Sequence, residues 1–186
     1  MFALTWLMCL AFAPNRFLAA LACPLGLLIL IPYAVRRQLF ETDDRHGMVV
    51  FGPFSMVKDA VILAVVMSPL IVVNALAPIA WGPLSGLVGL LVLTGFLLVG
   101  FLVLGSSSMG VPVGRETPKG DRYQIAALAQ RPGTRLSAVQ LALRLRDSLP
   151  VGAVLVSVAD NDRLLESYVR LGFSRGRGRR VYWRAN

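Results

Sequence analysis

The sequence predicts a chain with two regions: an α-helical transmembrane bundle of about three spans, then an α/β half-domain with the element order β-α-β-α-β-β. Three observations lead there. The 186 residues are 56% hydrophobic, with a mean hydropathy of +0.66, which is apolar for a soluble domain of this length. Charge is unevenly spread: residues 1–114 hold five Lys/Arg and four Asp/Glu, while residues 115–186 hold fourteen and six, a net charge of +8. Beyond residue 120 the hydrophobic pattern alternates between short apolar runs and amphipathic helical stretches.

The spans come first. A helix crosses the hydrocarbon core with about 20 residues, and residues 17–35, 60–80 and 84–104 are each uncharged and about that long. Residues 2–13 are apolar but short, and Pro14, Asn15 and Arg16 separate them from the first span. They read as an interfacial or re-entrant piece, or as an extension of the first helix. Trp81, Gly82 and Pro83 alone join the second and third spans, the signature of a tight helical hairpin. Pro69 and Pro78 kink the second span, and Asn74 is placed to bond across to a neighbour. Ser85 and Gly89 give the third span a small-x-x-x-small spacing that permits close helix approach. Cys9 and Cys23 sit inside apolar runs, with no disulfide framework indicated.

Arg36, Arg37, Arg45 and Lys58 fall between the first and second spans, and a dense set of arginines follows the third. The excess of basic residues places residues 36–59 and the C-terminal half on the cytoplasmic side of an inner or plasma membrane. Residues 36–59 read as a solvated juxtamembrane loop. Their His46, the chain's one histidine, lacks a second His or Cys at ligand spacing, so no metal is expected. A Ser-His-Asp triad has equally little support.

Residues 106–120, rich in Ser, Gly and Pro, are the expected linker between region 1–105 and region 121–186. Residues 122–129 read as a strand and Gln130 to Gly133 as a turn. A helix then starts at Thr134 or Arg135, with Leu136, Val139, Ala142 and Leu143 on one face, and Pro150 ends it. Residues 151–158 are a continuous apolar run, suited to a buried strand. Asn161 is a natural N-cap for a helix reaching about Arg170, with Gly172 at its C′ position. Phe173 and residues 180–184 complete a hairpin around Gly176 and Gly178.

The stretch V-S-V-A-D-N-D-R-L-L-E-S-Y-V-R-L-G-F, residues 156–173, with the β-α-β pattern before it, resembles the second half of a GNAT-type (acetyl-coenzyme A-dependent) N-acyltransferase. The resemblance covers about residues 121–186. It implies acetyl-CoA as co-substrate, Tyr168 as the group that protonates the leaving thiolate, and Asn161 as a contact to the cofactor or substrate arm. It further implies a coenzyme site drawn from Leu128 and Ala129 at the strand end and from Arg131, Gly133, Arg135, Ser137 and Ala138 in the following turn and helix start. A helix N-terminus with open amides attracts pyrophosphate, and a phenol can protonate a thiolate.

Two departures accompany the resemblance. With the helix register set by Leu141, Ala138 takes the last small position of the family's pyrophosphate loop, but Leu136 stands where its first glycine belongs. The family's first strands and helices have no evident counterpart; residues 106–121 or 36–59 are the only candidates to stand in. The expected function is a membrane-anchored N-acyltransferase, the alternative a catalytically degenerate docking or regulatory module. About seventy residues make a marginal core, so a homodimer or partner protein is expected to complete the half-domain. The basic half is expected at anionic lipid on the cytoplasmic face. Nucleic acid is disfavoured, because the glycine-spaced arginines lack interleaved aromatics.

Overall fold

The computed structural model describes the backbone of residues 1–108, 112–131, 133–134 and 137–185; the side chains of residues 70, 77, 80, 81, 83, 96, 99–101 and 103–108 are outside the description. Among the described residues there are six helices and a mixed six-stranded sheet, an α/β fold attached to a helical region. The chain divides into a helical unit, Met1–Arg36 with Ser55–Leu104, and an α/β unit, Arg37–Phe54 with Gly105–Asn186.

The helical unit holds α1 (Phe2–Phe12), α2 (Arg16–Val35), α3 (Met56–Trp81) and α4 (Pro83–Ser108). Two helical stretches are long and apolar enough to cross a membrane, Arg16–Val35 and Met56–Leu76. The third expected span is not shown: it would fall in α4, whose apolar described stretch, Leu84–Gly95, is shorter than a crossing needs. Asn15 caps α2 by accepting from the Leu18 amide at 2.9 Å, and Ser55 caps α3 through the Lys58 amide. Residues 2–13 form a helix of their own that packs on α2 at Gly26, where an added Cβ would come within 2.9 Å of Cys9 Sγ. At the turn between α3 and α4, Gly82 takes φ +87°. Beyond it Gly86 faces Pro78 and Gly89 faces Asn74 so closely that an added Cβ would overlap them. Gly86 and Gly89 of α4 thus serve contact with α3.

The α/β unit holds β1 (Leu39–Glu41), β2 (Gly47–Pro53), β3 (Arg122–Gln130), α5 (Ser137–Asp147), β4 (Val154–Val158), α6 (Asp162–Arg170), β5 (Ser174–Arg175) and β6 (Arg180–Arg184). The strand order is β1-β2-β3-β4-β6-β5, with β3 and β4 the one parallel pair among the described strands. Residues 121–186 follow β-α-β-α-β-β in order.

Residues 36–59 require a correction. Instead of a solvated loop, residues 39–53 form a hairpin whose second strand pairs with β3 from Gly47↔Gln130 to Pro53↔Tyr123. The cause is the apolar run Met48, Val49, Val50, Phe51, whose relative exposures are 0, 0, 1 and 7%. Val49 and Phe51 join the core beneath α5 and α6, with Ile125, Leu155, Leu165, Phe173 and Val181. Met48 and Val50 alternate to the opposite face, and burying a strand on both faces selects a continuous apolar run. The α/β unit is therefore built from two separated stretches of chain.

Candidate functional site

The parallel pair β3/β4 is short. Its register covers only Arg122↔Val154, Tyr123↔Leu155 and Gln124↔Val156. On its other edge β3 slips register, from Val50↔Ala127 to Phe51↔Ile125, so Ala126 is an extra residue. A bulge bends the strand that carries it, and β3 diverges from β4 next to this one. At the fork a side chain takes over from the ladder: Ser157 Oγ donates to the Ile125 carbonyl at 3.1 Å. The Tyr168 hydroxyl lies 3.4 Å from Ser157 Oγ.

Tyr168 reaches the fork from α6. The helix begins at Asn161, whose side-chain oxygen accepts from the Leu164 amide at 2.9 Å. Asn161, Leu165 and Tyr168 share one face by their spacing. Gly172, at φ +89°, turns the chain so that the Phe173 amide returns to the Tyr168 carbonyl at 3.0 Å. The two rings meet edge to face, centroids 5.1 Å apart. Tyr168 is 8% exposed, and burial pushes its phenol above the ordinary value, partly offset by the Ser157 hydrogen bond. The phenol therefore keeps its proton throughout the neutral range and can donate it or share it in a hydrogen bond.

The segment after β3 leads to the start of α5. Leu128 packs on the helix-side core that also contains Ala138 and Tyr168, whereas Ala129 is buried on the opposite face across from Met48. Arg131 is exposed, its amide donating to the His46 carbonyl at 2.8 Å. Gly133 takes φ +80° in an open turn. Gln130 holds this turn from within: its Nε2 donates to Thr134 O at 3.0 Å, and its Oε1 accepts from the Ala138 amide. Arg135 and Leu136 lie outside the described residues. Ala138 is small because of packing: a Cβ on Gly47 of β2 would come within 2.9 Å of the Ala138 Cβ.

Asp44, which the sequence did not single out, is the carboxylate at this helix start. It accepts from the Thr42 hydroxyl at 2.5 Å, from the His46 amide at 3.0 Å and from Ser137. The Thr42 and His46 bonds, with Ser137 adding less, hold its carboxyl below the usual range. An acidic group at a helix N-terminus is itself favourable. The signal for it was the polar run Thr42–His46 between two apolar strands, a hairpin pattern. Ser157 was hidden inside an apolar run and could not be singled out without the fork.

The sequence-derived residues thus fall in different places. Leu128, Ala138 and Tyr168 share one core, and Asn161 caps the helix that carries Tyr168. Ser137 meets Asp44. Arg131 and Gly133 are exposed on the connecting turn, and Ala129 is on the other face. No group of His, Cys, Asp and Glu suited to a metal ion occurs among the described residues. No family model matches the chain, and no curated protein matches it.

Proposed function

We propose that the chain is a membrane-anchored acyltransferase of the GNAT type, moving an acetyl or short acyl group from coenzyme A to an amine, with its α/β unit on the cytoplasmic side. The observation that carries this reading is the fork between β3 and β4 with the Tyr168 hydroxyl at its base. Beyond Gln124 no described strand pairs with the β4-side edge of β3. Such an edge accepts an extended amide chain by strand addition, and the arm of coenzyme A is an amide-bearing chain.

The chemistry follows from this placement. The amine nitrogen attacks the thioester carbonyl, the carbon–sulfur bond breaks, and the sulfur leaves with the electron pair. Tyr168 supplies a proton or hydrogen bond to that sulfur, and the proton shed by the attacking nitrogen balances it. Arg131 adds positive charge on the turn facing the coenzyme phosphates.

Calorimetric titration of the detergent-solubilised chain with acetyl-CoA tests the reading; folded protein that takes up no ligand overturns it. Given binding, Tyr168→Phe is expected to lower kcat by about 100-fold with a smaller change in KM. An unchanged kcat removes Tyr168 from this role.

The second reading, a catalytically degenerate docking module, is favoured by Asp44 and by the engagement of the Ala138 amide with Gln130, since both fill the helix start from within. Under that reading the titration is silent.

A further inference from the structure

Away from the fork, the segment before β3 and the turn between β5 and β6 line an open cleft of about 500 Å³. Its walls include Gly114, Arg115, Glu116, Arg122, Arg177 and Arg180. Four arginines and one glutamate thus line it, a formal excess of three positive charges.

Two features distinguish this cleft from a solvated basic surface. The first is a donor without an acceptor: Arg122 Nε is buried and has no hydrogen-bond partner among the described residues. Buried donors are nearly always satisfied, so the Arg122 guanidinium is one acceptor short among the described residues. The same face of β3 carries Gln124, only 4% exposed, whose Nε2 is also buried without a partner among the described residues.

The second feature is the seating of Glu116. Its Oε1 accepts from the Arg177 amide at 3.0 Å and from Arg180 Nη1 at 3.2 Å. Room for the carboxylate depends on two glycines. A Cβ on Gly114 would overlap its oxygens, and one on Gly176 would lie 3.1 Å from Oε1. Its carboxyl is held below the usual range by its own backbone amide and that of Arg177, with Arg180 adding to them. The cleft already binds one oxyanion, supplied from within, and has positive charge left over.

We propose that this cleft is a binding site for a phosphate monoester, with Arg122, Arg177 and Arg180 as its ligands and Glu116 as a built-in counter-anion that limits affinity. A monoester carries about −1.5 to −2 charge near pH 7, which the excess on the walls more than offsets. Guanidinium forks suit its oxygens geometrically. The phosphate belongs to a small soluble metabolite or to a lipid headgroup. The inference is independent of the acyl-transfer reading.

The test uses the full chain in detergent micelles, titrated with inorganic phosphate at low salt and followed by calorimetry. One equivalent is expected to bind. Arg122→Gln is expected to weaken binding at least tenfold, and Arg175→Gln, an exposed arginine outside the cleft, to change it less than twofold. Glu116→Gln keeps the acceptor for the Arg177 amide, removes the competing charge, and is expected to tighten binding several-fold. That gain cannot come from misfolding, so it decides the matter should Arg122→Gln fail to fold. Glycerol phosphate and phosphatidic acid in mixed micelles are then run as competitors, and the tighter one identifies the source. Absence of saturable binding overturns the site. So does an equal loss in Arg122→Gln and Arg175→Gln, or a Glu116→Gln chain that binds no tighter than the parent.

Discussion

Asp44 shows how one side chain can set the character of a site that the sequence assigned to others. The hydrogen bonds on its carboxylate favour the ionised form. With the folded pKa below the unfolded one, the contribution to stability is complete above the unfolded value, about 4. It disappears as pH falls through the folded value. Asp44→Asn is expected to lower stability slightly at neutral pH and to flatten the acid limb of the unfolding curve below about pH 4, read by circular dichroism. If coenzyme pyrophosphate docks at the start of α5, the same variant is expected to bind acetyl-CoA at least threefold more tightly, because a like charge is gone. Unaltered affinity places the phosphates elsewhere. Asn161 separates two roles in the same manner. Asn161→Asp retains the acceptor for the Leu164 amide and is expected to keep stability, whereas Asn161→Ala is expected to cost about 1 kcal/mol in denaturant unfolding. The cap was legible because Asn precedes an amphipathic run; a cofactor contact leaves no separate sign in the sequence.

At the scale of elements, what could be read and what could not divide along the range of the interactions involved. The helix Asp162–Arg170 and the strand Val154–Val158 carry their own signals, a cap and a glycine stop in one case and an unbroken apolar run in the other. The hairpin β1/β2 has only three and seven residues in its strands, and its identity as sheet rests on pairing with β3, which follows only after both long helices α3 and α4. Local pattern cannot report a partner that distant. The bulge at Ala126 is equally silent in sequence, because the extra residue is an alanine among alanines and its effect is to spread neighbouring strands apart. Contact between β2 and α5 offers a test of the hairpin as a structural element. Gly47→Ala would set two backbone-anchored Cβ atoms 2.9 Å apart, with no flexible side chain to yield. The expected penalty is about 1–3 kcal/mol, measured as a lower denaturant midpoint for the α/β unit. A neutral outcome would mean that α5 is not held against the hairpin.

For the whole molecule, the pairing of β2 with β3 constrains how the chain can be threaded. Residues 37–54 precede α3 and residues 105–186 follow α4, yet both belong to one folded unit. Whatever bilayer the apolar helices enter, both stretches must emerge on the same side of it, so α3 and α4 together return the chain to its starting side. Sequence reasoning reached the same sidedness from another direction, through Arg36, Arg37, Arg45 and Lys58 in one segment and the arginines of the other. The charge pattern alone left the two assignments independent of each other; a shared sheet ties them together. Single reporter cysteines at Asp43→Cys and Arg175→Cys, both exposed positions, in a chain with Cys9 and Cys23 replaced by Ala, test this directly. In sealed, inverted inner-membrane vesicles both are expected to react with a membrane-impermeant maleimide, and in intact cells neither. Opposite accessibility at the two sites would mean that β2 and β3 cannot pair in the membrane-bound protein. The fork at Gln124 and the placement of Asp44 at α5 would then both fall with the sheet.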